Sequence, residues 1–197
     1  MAAAFLASAV IASVTLALTG AGHRGTIIGL QLTARWSYCL FLPAYVGGAL
    51  AALFGTVFQP LARRGRDLGL AFASAHVTHL SLVAWLYYIS PRPPVGTFTA
   101  IFFGIAAILT YVLALFSIPR LAASLPPRVW WWLRTVAMEY IALAFLSDFL
   151  HNPFDGGLAR LIAYLPFLAL GSAAALLRIA FYAKRLRGKR LMPQAAG

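Results

Sequence analysis

Charge is scarce in this sequence: Asp, Glu, Lys and Arg together make up 10% of 197 residues, and only four of them are acidic. Soluble domains carry roughly 25% charged residues, so a water-facing globular surface is excluded. Cysteine is almost lacking too. The single Cys39 lies inside an apolar run, which rules out an internal disulfide and a cysteine-based metal site and leaves it a packing role. No nucleotide-binding Gly-rich loop, nucleophile elbow or zinc motif occurs. No stretch remains for a soluble domain that could hold NAD(P)H or flavin, so the chain is not expected to be a complete enzyme on its own. Internal repeats are absent, as is low complexity beyond an alanine-rich N-terminus.

What is present is hydrophobic: 62% of the residues. The pattern predicts an all-α, polytopic membrane bundle of about six transmembrane helices, since about 20 apolar residues cross the hydrocarbon layer. The expected spans are 2–18, 37–57, 68–89, 97–118, 129–150 and 158–181, with a basic tail over 182–197. The first run starts at Met1 without a positive n-region, the pattern of an uncleaved span rather than a secretory leader. A Gly-rich linker is expected from Thr19 to Thr33, and Pro43 and Gly47-Gly48 inside the second run predict a kink or close packing. Gln59 to Arg66 is expected as a short basic loop, and prolines 91, 93 and 94 stop the third helix. Trp130-Trp131-Trp132 opens the fifth span like an interfacial aromatic cluster, and HNPFDGG from His151 reads as a loop.

The net charge of +12 would suggest nucleic acid in a soluble protein. Here the cations fall between and after apolar runs, as topology signals do, and no nucleic acid partner is expected. Ten Lys and Arg residues follow spans two and four or lie in the tail, against Arg24, Arg35, Arg92 and Arg160 on the other side. That imbalance predicts cytoplasmic N- and C-termini. The expected partners are the lipid bilayer and other membrane subunits.

Polar groups at membrane depth are the candidate functional residues. His76 and His79 lie near the middle of the third span, three apart and on neighbouring parts of one helix face. Glu139, about ten residues into the fifth span, falls near the same depth, so a Glu139 hydrogen bond to either imidazole would lower the cost of burying both. A buried structural pair and a proton or ligand site are both open for these residues. Arg134 can snorkel to the surface, Asp148 lies near the outer end of its span, and Arg35 marks the outer interface.

The order of signals resembles the ferric reductase-like transmembrane domain family. The matching residues are Thr33-Ala34-Arg35-Trp36, Arg63-Arg64, Leu68-Gly69-Leu70, His79 and Trp132-Leu133-Arg134, covering roughly 33–150. The resemblance implies a multi-pass protein of a bacterial inner membrane. It also implies b-type haem held between a histidine on span three, here His79 with His76 as an extra or alternative ligand, and two histidines on span five. This sequence departs from that pattern, because Arg134 and Asp148 stand where the span-five histidines would be. His151 follows three residues after Asp148 but lies about 10 Å from the depth of His79. One haem b at the most is therefore expected, ligated by His76 or His79. The same imidazoles could instead ligate the magnesium of a chlorophyll-type pigment or face a quinone, or no cofactor is held at all.

Two functions follow. One is an accessory or scaffold subunit of a larger electron-transfer or pigment-containing membrane complex, built on a ferric reductase-like bundle with degenerate haem sites. The alternative is a b-type haem or quinone electron-transfer component serving a partner reductase. A proton-coupled transporter fits less well, since neither paired broken helices nor repeated halves are present.

Overall fold

The computed structural model describes residues 1–151 and 157–191; most of the expected HNPFDGG loop and the last residues of the tail lie outside the described residues. Among the described residues the chain is helical throughout, without a strand. The helices are α1 (Ala2–Thr19), α2 (His23–Phe54), α3 (Gln59–Arg63), α4 (Gly65–Ile89), α5 (Thr97–Phe116), α6 (Pro119–Ala122), α7 (Pro127–His151) and α8 (Gly157–Leu191), with a 3-10 turn over Thr56–Phe58.

Five helical stretches among the described residues are long and apolar enough to cross a membrane: α1, α2, α4, α5 and Arg160–Arg187 of α8. The expected count was about six. The remaining stretch, α7, has 25 residues and is long enough at about 1.5 Å per residue. Its three tryptophans, Arg134, Glu139 and Asp148 dilute its apolar character, and it is not among the five.

Three local expectations are revised. The Gly-rich linker expected from Thr19 to Thr33 is helical from His23 onward, so α2 is 32 residues long. Its glycines and threonines serve packing rather than looping. Thr26 and Thr33 donate their hydroxyls to the carbonyls of Gly22 and Gly29, four residues back, at 2.9 and 2.8 Å. A Cβ on Gly29 would come within 3.2 Å of Leu82 Cδ1 on α4, so this part of α2 lies directly against the Leu82 side chain. The basic stretch after α2 is not a plain loop either, because it folds into the 3-10 turn and α3. Finally, α8 runs for 35 residues, so the start of the basic tail is helical.

The chain forms two compact units. The first comprises Met1–Phe41 and Arg66–Phe145 and is arranged around α4. Polar side chains at membrane depth borrow backbone carbonyls of neighbouring helices, as a medium without water requires. Ser8 of α1 donates to Ala75 O at 2.9 Å and Tyr111 of α5 to Ala73 O at 3.4 Å. Trp36 of α2 donates to Ala4 O at 3.2 Å, and Tyr140 of α7 to Phe102 O at 3.2 Å. The histidine helix is thus fastened to α1 and α5 through its own backbone, just below the imidazoles.

The second unit comprises Leu42–Gly65 and Leu146–Gly197. In it α3 folds back on α2, with Leu61 so near Gly47 that an added Cβ would lie 3.2 Å from Leu61 Cγ. Phe149 of α7 packs against Tyr164 and Phe167 of α8, with ring centroids 6.2 and 5.4 Å apart. Near the other end of α8, Lys184 Nζ donates to Ala52 O at 2.8 Å. That carbonyl is among the last four of α2, which have no partner within the helix, and a cation is favoured there by the helix dipole.

Candidate functional site

Two imidazoles and a hydroxyl make the centre of the first unit. The i, i+3 spacing puts His76 and His79 side by side on α4, and their rings stack with centroids 5.0 Å apart and planes 16° from parallel. His79 Nδ1 lies 3.1 Å from Thr33 Oγ1 on α2. Thr33 is fully buried, and its hydroxyl also lies 2.8 Å from Gly29 O and 3.2 Å from Leu30 O. With its proton on either carbonyl, the hydroxyl accepts from His79 Nδ1; with its proton on His79 Nδ1, the neutral imidazole carries its own hydrogen on Nε2.

His76 is placed differently. Its Nδ1 is buried and meets no hydrogen-bond partner among the described residues. One face of its ring is covered by His79 and another side by Phe72, at 5.4 Å between centroids. Phe72 continues into an aromatic cluster: Phe41 at 5.3 Å, Phe145 at 5.9 Å, and Tyr38 5.2 Å from Phe145. Tilted rings at these separations attract beyond their buried area. The imidazoles are therefore the polar end of a row of rings that joins α2, α4 and α7.

This geometry limits what the pair can ligate. Imidazole lone pairs lie in the ring plane, so two nearly parallel, stacked rings send them along parallel planes and not toward one point. The two axial nitrogens of a bis-histidine haem lie on opposite sides of the iron, which this pair on one helix does not provide. The arrangement engages His79 at Nδ1 and leaves His76 Nδ1 without a hydrogen-bond partner among the described residues, and it does not converge the two rings on one ligand. Among the described residues no group of three or more His, Cys, Asp or Glu is gathered to hold a metal ion.

The other residues singled out in the sequence are divided between the two units. Glu139 is half-buried on α7 in the first unit, as is Arg35 on α2. Arg134 is exposed. Asp148 belongs to the second unit. His151 ends α7, and its side chain lies outside the described residues. Cys39, expected to be packed, is exposed on α2; it points away from the ring cluster that its neighbours Tyr38 and Phe41 build.

The residue that sequence reasoning missed is Thr33. It was legible as the start of the Thr-Ala-Arg-Trp motif, but its service to His79 depends on α2 and α4 lying face to face, which no spacing reveals. The aromatic cluster was missed for the same reason. Ring residues are common in this chain, with 14 Phe, 8 Tyr and 5 Trp, and nothing local marks which of them converge. No family model matches the chain, and no curated protein or solved structure matches it either.

Proposed function

We propose that this chain is an integral-membrane accessory subunit of a larger membrane complex, of electron-transfer or pigment-containing type, built on a ferric reductase-like helix bundle whose haem sites are degenerate. The observation that carries this reading is the condition of the histidine pair. Its rings are stacked, one nitrogen is given to Thr33, and the neighbouring carbonyls fasten the helix to α1 and α5. These are contacts that hold a bundle together. Large apolar residues also remain outward along α5 and α8, among them Phe98, Ile108, Ile162 and Leu176, a surface suited to lipid and to helices of other subunits.

In this proposal α7 is a sixth span despite its polar residues, and the Lys- and Arg-rich ends face the cytoplasm of a bacterium. The test is an absorption spectrum of the purified protein, oxidised and dithionite-reduced, combined with its mass in mild detergent. An accessory subunit gives no stoichiometric Soret band and is recovered with other chains. A stable monomer with a full b-type spectrum, or one active alone in ferric or quinone reduction, would overturn the reading.

One observation favours the alternative, a haem or quinone electron-transfer component. His76 Nδ1 is buried without a hydrogen-bond partner among the described residues, at a cost of about 1–3 kcal/mol that a ligand would relieve. His76→Ala and His79→Ala separate the two readings: a bound chromophore is lost with one of them, whereas a packing role changes stability alone.

A further inference from the structure

Three contacts pin α2 against α4, and a pair of polar side chains falls between two of them. Gly29 of α2 lies against Leu82 of α4, Thr33 meets His79 at 3.1 Å, and the rings of Phe41 and Phe72 are 5.3 Å apart. Residue numbers rise along α2 as they fall along α4, so the two helices run antiparallel. Midway between Thr33 and Phe41 comes Ser37, four residues from each. Midway between His79 and Phe72 the register falls at Ala75 and His76, and His76 is three residues from His79 and four from Phe72. Spacings of three and four keep residues on one helix face. At 1.5 Å per residue Ser37 lies about 6 Å from Thr33 along α2, and His76 about 4.5 Å from His79 along α4, in the same direction. Ser37 and His76 therefore occupy one level of the interface.

Each brings an unpartnered polar atom to that level. Ser37 is fully buried, and its Oγ, like His76 Nδ1, meets no hydrogen-bond partner among the described residues. Other hydroxyls within these helices turn back to the carbonyl four residues earlier, as those of Thr26, Ser81, Thr110 and Ser117 do, or reach a neighbouring helix, as that of Ser8 does. Ser37 does neither. Two such atoms in an apolar surrounding are costly unless something joins them.

We propose that Ser37 Oγ and His76 Nδ1 together bind one water molecule between α2 and α4. Buried waters settle where at least two otherwise unsatisfied polar groups face one space. A water both donates and accepts, so it serves Nδ1 in either tautomer of His76 and still has a bond for the serine hydroxyl. The room fits a small occupant. On one side the Phe41, Phe72 and Phe145 rings close the level, with centroids 5.3 to 5.9 Å apart. On the other the Thr33 to His79 contact closes it. The water site does not rest on the function proposed above, since it serves His76 whether or not the bundle joins a larger complex.

The test is solid-state NMR of the full-length protein in lipid bilayers, with nitrogen-15 histidine and polarisation transferred from water. Transfer to His76 Nδ1, the signal missing from His76→Phe, is expected. Ser37→Ala should abolish it, and Ser37→Thr, which keeps the hydroxyl, should retain it. No transfer to His76 in the unaltered protein, or undiminished transfer in Ser37→Ala, would overturn the site, as would a bound chromophore that is lost in His76→Phe. Thermal melting reads the bridge a second way. Ser37→Ala and His76→Phe should each lower the midpoint, and the double variant should fall by less than the sum, because either change alone already releases the water. Additive shifts would show that the two residues share nothing.

Discussion

The imidazole of His79 meets the hydroxyl of Thr33 across the α2–α4 interface at 3.1 Å. Thr33 also meets the carbonyls of Gly29 and Leu30 on its own helix, so one buried hydroxyl couples the tautomer of His79 to the backbone of α2. A residue otherwise read as the start of a sequence motif is thus the polar partner of the central histidine.

Replacing Thr33 tests that contact. Thr33→Val keeps the volume and removes the hydroxyl, leaving His79 Nδ1 without that partner; a loss of about 1–3 kcal/mol is expected. Thr33→Ser restores the hydroxyl and most of the stability. Thermal unfolding of the detergent-solubilised variants reads the difference, and equal melting of the Val and Ser variants would show that the contact contributes nothing.

Ser8 and Ala75 offer a simpler case, since the hydroxyl reaches the carbonyl of another helix at 2.9 Å in a fully buried position. Hydrogen bonds between membrane helices average about 0.6 kcal/mol. Ser8→Ala is therefore expected to lower stability by roughly that amount, well below the Thr33→Val loss. A larger effect at Ser8 than at Thr33 would reverse the ranking.

Glycines divide into those that allow helix contact and those that do not. A methyl group on Gly47 would press within 3.3 Å of the Leu61 backbone, which cannot swing aside, so Gly47→Ala should destabilise by about 1–3 kcal/mol through overpacking. Gly69 has open space around its Cβ position, and Gly69→Ala should gain up to about 1 kcal/mol of helix propensity. Opposite signs in the two melting shifts are the expected outcome.

Cys39 reports on the bilayer itself. It is exposed on α2, well inside a helix apolar enough to cross a membrane. A charged, membrane-impermeant maleimide should leave it unlabelled in intact membranes, because the reagent cannot enter the hydrocarbon. An apolar maleimide, or denaturation in detergent, should permit labelling. Rapid labelling by the charged reagent in intact membranes would place this stretch of α2 in water.

Composition and hydrophobic run length by themselves determined that this is a helical protein with several membrane-crossing segments, and that His76 and His79 share one face of one helix. Those are local properties, read from residues a few positions apart. Where local signals conflicted, the tertiary structure decided. Glycine and threonine between Thr19 and Thr33 look like linker material in isolation, yet from His23 onward they are helical, with Gly29 against Leu82 of α4 and the hydroxyls of Thr26 and Thr33 turned back onto the helix. Cys39 looked packed because its run is apolar, but in a membrane protein apolar residues face outward as readily as inward. The Thr33 to His79 bond, the stacking of the two imidazoles and the aromatic row through Phe72 to Tyr38 join residues on separate helices. Such pairings arise from helix packing, which brings together residues far apart in the sequence.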